Sequence, residues 1–371
     1  MPSLRPFLLL ALPLAAHLAA AADPVALPAA PAVLAVMERV ADWQIAHPSA
    51  HPPTDWTVGA GDAGIMALAA LSESPRFDEA MVRAGEKNGW KTGPAPYVAD
   101  DYCVGQTYAE LFLRHHDPRM IAPLRAQFDA ILAHPKDGSL DFTLPERRDR
   151  WSWCDSLFMG PPTWVRLSAA TGDKEYLAYA TRHWWQTSDY LYDPVEHLYC
   201  RDSTYFNKRE ANGKKIFWSR GNGWVMGGLV RVLEFLPADD PTRPRFEQQL
   251  REMAARIAGL QQADGLWRSS LLDPEDFPLK ETSGSGFYCY ALAWGVNHGL
   301  LEREKFEPAA LRAWQALVEC VDADGRLTHV QPIGADPKNF DGNSTEIYGV
   351  GAFLLAGSEI YRLAGGTEKA H

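Results

Sequence analysis

Apolar residues recur at helical spacing along most of this 371-residue sequence, and this periodicity constrains the fold more than any other feature. Residues 65–71, 108–113, 164–170 and 225–233 all place apolar side chains at positions i, i+3 and i+4. Convincing alternating stretches, the mark of β-strands, are few. The pattern therefore predicts an all-α protein.

Turn motifs interrupt the helical stretches at irregular intervals of roughly 60 residues. They are Gly89-Trp90, Asp137-Gly138, Asp193-Pro194, Asp264-Gly265 and Asp324-Gly325. Two medium helices with their turns need about 60 residues, so the chain has room for about six helical hairpins. Six hairpins can close into an (α/α)6 barrel, which is the fold we predict, and an open helical solenoid is the alternative.

The first 22 residues have the features of a secretory signal peptide. Arg5 precedes a short apolar stretch, and residues 19–22 are four alanines suited to cleavage. This stretch is too short to span a bilayer, and no later one reaches the necessary length. We therefore expect a signal peptide at residues 1–22, one barrel domain at residues 23–371, a secreted or periplasmic location and no membrane contact.

The charge of the chain limits its partners. Lys and Arg total 36 against 47 Asp and Glu, a formal net charge of −11, so a nucleic acid would be repelled on average and is not an expected partner. The 13 Trp, 13 Tyr and 15 Phe residues suit either a large helical core or a cleft in which sugars stack. Composition does not decide between the two.

No sequence motif indicates a metal or a nucleotide. The five cysteines are isolated from one another and are predicted to be buried thiols: Cys103, Cys154, Cys200, Cys289 and Cys320. Histidines near residues 47–55 and 115–117 lack metal-binding spacing and are interpreted as surface residues. Residues 59–64 match GxGxxG, but no buried strand precedes them, so these glycines are predicted to serve helix entry and packing.

Carboxylates in two segments are candidates for acid–base chemistry. Asp100 and Asp101 stand just before Gly105 and a helical stretch, and Asp155 stands among aromatic and apolar residues. An apolar environment favours the neutral form of a carboxyl group, as a general acid requires. The alternative for Asp155 is a helix cap or an ion pair with an arginine.

A third segment, residues 217–224, combines two indoles, a guanidinium and two glycines. Trp218 and Trp224 offer flat faces for sugar rings, and Arg220 can bind a carboxylate with two hydrogen bonds. An inter-helix turn with core tryptophans is the alternative.

Five strings together resemble the unsaturated glucuronyl and rhamnogalacturonyl hydrolases of glycoside hydrolase families 88 and 105. They are ADDYCVGQTY (99–108), WCDSLFMGPP (153–162), FWSRGNGW (217–224), LWRSSLLDPE (266–275) and ETSGSGFYCYALAWG (281–295). The resemblance implies an (α/α)6 barrel that acts on the products of polysaccharide lyases. Such enzymes remove a 4,5-unsaturated uronic acid from the non-reducing end of an oligosaccharide by hydrating its double bond, without a metal or an organic cofactor.

By resemblance, Asp155 is the general acid and base, and Asp101 is the second acid, with Asp100 as the other candidate. Arg220 would then hold substrate oxygens or the uronate carboxylate, Trp224 would stack on a sugar, and Trp153 would form the wall beside Asp155.

The chain departs from the rhamnogalacturonan-specific pattern at residues 199–203. A Tyr-His-Gly-Trp-Asp string is replaced by one that contains Cys200 and Arg201, so Arg201 is a further candidate for contact with a carboxylate or a sulfate. Two alternative functions remain open. One is hydrolysis of saturated glycosides by a pair of carboxylates, and the other is glycan binding without catalysis.

Overall fold

The computed structural model describes residues 25–368, so the predicted signal peptide lies outside the described residues. Four short 3-10 turns, at 99–102, 118–120, 147–150 and 203–205, and one two-stranded hairpin accompany the helices. The α-helices are α1 (Ala30–Ala46), α2 (Trp56–Ala69), α3 (Arg76–Lys87), α4 (Gly105–His115), α5 (Ala122–Ala133), α6 (Ser156–Met159), α7 (Pro161–Thr171), α8 (Lys174–Leu191), α9 (Ser219–Leu233), α10 (Arg243–Ala258), α11 (Thr282–Asn297), α12 (Arg303–Val318) and α13 (Ile347–Leu363). The hairpin pairs β1 (Tyr192–Asp193) with β2 (Leu198–Tyr199) in antiparallel orientation.

Six helices form a closed inner ring. In ring order these are α2, α4, α7, α9, α11 and α13, and α13 packs back onto α2. Every residue of α9 is buried, whereas the outer helix α3 buries only Phe77, Met81 and Gly85. An inner helix is buried on all sides because its neighbours cover it on all sides, while an outer helix needs only one apolar stripe. The predicted (α/α)6 barrel is confirmed, and ring closure excludes the open solenoid.

Small residues allow the ring to close. The GxGxxG stretch lies inside α2, and a Cβ atom added to Gly64 would lie 2.5 Å from the carbonyl oxygen of Gly351 on α13. A Cβ on Gly61 would collide with Ile347. The glycines therefore permit close helix packing, as predicted, although they lie beyond the helix entry itself.

The hairpin topology orients all six inner helices in the same direction. Their amino-terminal ends thus meet at one end of the barrel, and their carboxyl-terminal ends meet at the other. A cavity of about 440 Å³ at the carboxyl-terminal end is lined by a charged network. In it Arg166 and Arg231 share Glu110, at 2.6 and 2.7 Å, and Arg166 also binds Glu234 at 3.0 Å. These buried charges therefore compensate one another at that end of the barrel.

The remaining sequence predictions can be compared with the described residues. All five cysteines are buried and unpaired, as predicted. His115 contacts Asp78 at 2.7 Å and His51 contacts Glu346 at 3.3 Å, which are ordinary polar contacts at partly exposed positions. None of the helices between residues 25 and 368 is long and apolar enough to cross a membrane.

Asp62 is an exception in the apolar inner ring. It lies on α2, is only 7% exposed, and none of the described residues forms a hydrogen bond or ion pair with it. Burial raises its pKa from 3.8 to about 7. In the unfolded chain the carboxyl group ionises near pH 4, so the folded state loses relative stability as the pH rises from about 4 to about 7.

We predict that Asp62→Asn removes this pH dependence. The measured quantity is the free energy of unfolding of the variant minus that of the wild type, from denaturation at each pH. This difference should rise by a few kcal/mol between pH 4.5 and pH 7.5. Asp324→Asn, at an exposed position, serves as the control. An equal pH dependence of stability in Asp62→Asn and wild type would contradict the burial of an ionisable group here.

Candidate active site

The candidate residues gather at the amino-terminal ends of the inner helices. Asp100 and Asp101 lie in the 3-10 turn before α4, Asp155 directly precedes α6, and Arg220 is the second residue of α9. Residues far apart in sequence therefore surround one end of the barrel. Helix amino termini carry partial positive charge, so this end favours an anionic ligand.

The backbone holds Asp155 in place. The amide of Cys154 donates to the carbonyl of Arg201 at 2.8 Å, and Trp153 forms an antiparallel bridge with Asp202. The carbonyl of Asp155 accepts from Phe158 and so begins α6, whereas its side chain makes no capping hydrogen bond. The carboxyl group of Asp155 is therefore held in position without serving as a helix cap.

The environment of the Asp155 carboxyl group favours its protonated form. Burial raises the pKa of Asp155, and the positive charge of Arg201, a hydrogen bond from Cys154 and the charge of Arg220 partly oppose that rise. The Nε atom of Arg201 is 4.0 Å from Oδ2, and Arg201 donates from Nη1 to Asp202 at 2.6 Å. Because Arg201 also binds Asp202, its charge only partly offsets the effect of burial on the pKa of Asp155. Asp155 therefore has the properties of a proton donor.

The two adjacent aspartates have different environments. The side chain of Asp101 accepts a hydrogen bond from the amide of Ala95 at 2.6 Å, and its backbone carbonyl accepts one from the amide of Gly93 at 2.5 Å. Asp101 therefore holds the loop at residues 93–95 in place. Asp100 is bound to Arg148. Burial raises the pKa of Asp100 to about 6 against the opposing charge of Arg148, and the negative charge of Asp155 adds to the rise. Asp100 thus interacts electrostatically with Asp155.

Arginines and aromatic rings form one wall of the site, here called the arginine–aromatic cluster. It consists of Phe142, Arg147, Arg148, Trp153 and Arg201. The guanidinium groups of Arg201 and Arg147 lie over the Phe142 ring, 4.5 and 5.2 Å from its centroid, and Arg148 lies 5.6 Å from that of Trp153. Among the described residues no carboxylate forms an ion pair with Arg147. The cluster places several cations beside Asp155 and Asp100 in an acidic protein.

Arg220 is a buried cation on the other side of the site. Its guanidinium donates to the carbonyl oxygens of Gln331 at 2.6 Å and Pro332 at 3.0 Å, and no carboxylate in the described part of the chain forms an ion pair with it. Its Nε atom is buried without a hydrogen bond. The positive charge of Arg220 acts on Asp155. The two carbonyl oxygens occupy part of the hydrogen-bonding capacity of the Arg220 guanidinium.

The tryptophans of residues 217–224 are core residues in this structure. Trp224 is fully buried against Phe158 and Phe287, with ring centroids 4.9 and 4.6 Å away, so its indole has no face open to a sugar. Trp218 is buried as well and donates to the side chain of Gln331 at 2.8 Å. Neither indole ring therefore has accessible surface on which a sugar could stack, although such stacking was expected. Both tryptophans lie in the core, which was the alternative interpretation of this segment.

Several residues of the site have weak sequence signals. Phe142 belongs to a loop and Arg148 to the short 3-10 turn at 147–150, and neither segment has a helical or strand periodicity in the sequence. Gln331 is more than 100 residues from Arg220 in sequence. Only the fold brings these side chains to Asp155.

The arrangement suits protonation of an anionic substrate. Asp155 is a buried carboxyl group with a raised pKa, Asp100 is a second carboxyl within its electrostatic range, and Arg201 and Arg220 supply positive charge. Between residues 25 and 368 no three His, Cys, Asp or Glu side chains form a group that could hold a metal ion. Asp155, Asp100 and the two arginines together can supply an acid, a base and an anion-binding site.

Several known proteins are similar to this chain over most of its length. The chain is 40% identical to an "Unsaturated 3S-rhamnoglycuronyl hydrolase" of Formosa agariphila over 89% of this chain and 90% of that protein. It is 32% identical to a protein of the same name from Alteromonas sp. (strain LOR), over 87% and 84% of the two chains. A solved structure described as "Polysaccharide Lyase BACCELL_00875" is 32% identical, with a TM-score of 0.83, and covers 92% of this chain and 99% of that one.

The sequence profile of Glycosyl Hydrolase Family 88 matches residues 35–364, nearly the whole described chain. The resemblance deduced from the five strings is thus confirmed at the level of the family, and the enzyme class follows from it. The chain belongs to Glycosyl Hydrolase Family 88.

Proposed function

We propose that this glycoside hydrolase removes a 4,5-unsaturated uronic acid from the non-reducing end of an oligosaccharide by hydrating its C4=C5 bond. The observation that carries the proposal is Asp155, a buried carboxyl group with a raised pKa that is held beside two arginines without capping its helix. Binding alone does not require a carboxyl group with a raised pKa in such a place.

In the proposed reaction Asp155 donates its proton to C4 of the enol ether. Positive charge develops toward C5, water adds there, and the Asp155 carboxylate takes a proton from that water. The C5 hemiketal then opens by breaking the bond between C5 and the ring oxygen, which leaves a ketone at C5 and a hemiacetal at C1. The hemiacetal collapses to an aldehyde and releases the rest of the oligosaccharide as an alcohol. One water molecule is consumed and the acid is regenerated, so no second reactant is needed.

Asp100 is the proposed partner of Asp155. Its carboxyl group interacts with the charge of Asp155, while Asp101 is occupied by the backbone of the 93–95 loop. A carboxylate at Asp100 would stabilise positive charge that develops on the sugar ring, and Arg148 would hold it in place.

Cations support an anionic substrate. Arg201 and Arg220 would attract the uronate carboxylate, with the inner helix amino termini adding positive potential. Arg147, which has no ion pair within residues 25–368, leaves a positive charge for a further acidic group such as a sulfate. By likeness to the two rhamnoglycuronyl hydrolases, an unsaturated rhamnoglycuronyl oligosaccharide is the substrate class we propose. The signal-like residues 1–22 support a secreted or periplasmic location, where such products of lyases would be met.

Ultraviolet absorbance tests the reaction, because hydration destroys the conjugation between C4=C5 and the carboxylate. We expect absorbance to decay when the protein is added to unsaturated rhamnoglycuronyl oligosaccharides. Asp155→Asn, which keeps the size of the side chain, should lower kcat at least about 100-fold by removing the general acid. Its unfolding midpoint should stay close to that of the wild type.

Other outcomes of the same assay separate the alternatives. A rise in absorbance on an intact polysaccharide would indicate β-elimination, the activity in the description of one similar solved structure. Release of sugar from saturated glycosides would indicate the two-carboxylate route. Binding without turnover by the folded protein would leave a glycan-binding role, and full activity in Asp155→Asn would remove Asp155 from the mechanism.

Matched variants at positions 100 and 101 test the second acid. We predict that Asp100→Asn lowers kcat about 100-fold or more with little loss of stability. Asp101→Asn should mainly destabilise the protein, by about 1–2 kcal/mol, because its hydrogen bond to the Ala95 amide is lost or weakened. The measurements are kcat on the unsaturated substrate and denaturant midpoints. A large loss of kcat in Asp101→Asn alone would reverse the assignment.

A further inference from the structure

A thiol contacts the candidate general acid directly. The Sγ atom of Cys154 lies 3.3 Å from Oδ2 of Asp155 and is the donor in this hydrogen bond. Burial raises the pKa of Cys154 well above its ordinary value, so the thiol keeps its proton. A protonated thiol can donate a hydrogen bond, whereas a thiolate could not.

The sulfur atom is fixed in this position. Cys154 has no exposed surface, and its amide is held by the carbonyl of Arg201 at 2.8 Å. A Cβ atom built on Gly221, near the start of α9, would lie only 3.0 Å from Sγ. The absence of a side chain at residue 221 therefore makes room for the sulfur atom.

The two oxygen atoms of Asp155 differ as a result. Oδ2 faces the thiol of Cys154 and, at 4.0 Å, the guanidinium of Arg201. No hydrogen bond or ion pair from another described residue reaches Oδ1, and the remaining donor to this carboxyl group is the backbone amide of Asp155 itself. The other charged groups that act on or near this carboxyl are Arg220 from α9 and Asp100 from the turn before α4.

We infer that Cys154 is a positioning residue for Asp155: its S–H group holds Oδ2 and leaves Oδ1 as the oxygen that delivers the proton. This inference rests on the proposed function for its catalytic meaning. The thiol itself takes no part in bond making, and it acts by fixing the orientation of the acid and by stabilising its ionised form through one weak hydrogen bond.

Cys154→Ala and Cys154→Ser test this role. In Cys154→Ala kcat should fall about fivefold, the size expected for one weak hydrogen bond, with KM nearly unchanged. The basic limb of the kcat/KM profile should move to higher pH, because loss of a donor to the ionised form raises the pKa of Asp155. Cys154→Ser restores a donor, so kcat should return toward the wild-type value and the limb should move back.

Cys289→Ala is the matched control. Cys289 lies in α11, outside the site, and is another fully buried thiol. It donates a hydrogen bond to the carbonyl of Ala310 at 3.4 Å. Its pH profile should match that of the wild type. Equal kcat and pH profiles in Cys154→Ala and wild type would overturn the inference, as would equal losses in Cys154→Ala and Cys289→Ala.

A carbon-13 titration of the Asp155 carboxyl in the ligand-free protein separates this inference from the proposed function. The pKa of Asp155 should be higher in Cys154→Ala than in wild type and Cys154→Ser, whatever substrate the enzyme uses. An unchanged pKa would contradict the role of Cys154. Absence of turnover on every unsaturated oligosaccharide would instead contradict the proposed function.

Discussion

The contact between α2 and α13 is the interaction on which the rest of the structure depends. These are the first and last helices of the inner ring, and Gly64 and Gly351 let them approach closely enough to close it. Closure buries the inner helices on all sides and directs their amino-terminal ends to one end of the barrel. The acids, the arginines and the helix amino termini meet there because the ring is closed.

The site then has to reconcile an acidic protein with an anionic substrate and with an acid whose pKa is raised. With a formal net charge of −11, the protein repels anions on average, so local cations must reverse the field at the site. Arg201 and Arg220 are cations of this kind, but cations close to Asp155 also favour its ionised form. Burial opposes them, and the pKa of Asp155 is raised on balance. Sharing of Arg201 with Asp202 and of Arg220 with main-chain carbonyls limits their effect on the acid.

Much of the fold was predictable from the sequence because it rests on local periodicity. Helical spacing and recurrent turns indicated the hairpins, and the glycines of residues 59–64 indicated close packing. The apolar neighbours of Asp155 marked it as unusual in the same way. By resemblance the sequence favoured Asp101 over Asp100 as the second acid, and which of the two takes that role stays a prediction. Adjacent residues of a 3-10 turn point in different directions, so the different environments of these two carboxyl groups could not be read from the sequence.

The roles of the tryptophans were not accessible either. Trp224 lies within α9, and there a tryptophan that lines a cleft has the same sequence pattern as one that fills the core. In the structure it packs against Phe158 and Phe287 in the core. The partners of Arg220 come from a loop more than 100 residues away, and Phe142 belongs to a loop without periodicity. Such long-range contacts leave no local signal in one sequence.

The central claim is that a proton from Asp155 is delivered to C4 of the substrate, and hydrolysis in deuterium oxide tests it most directly. The acid exchanges its proton with the solvent, so the account predicts one deuterium at C4 of the released sugar, added to a single face and detectable by NMR and mass spectrometry. A product that keeps its C4=C5 bond, without deuterium at C4, would show that cleavage occurs at the anomeric carbon and would contradict the account.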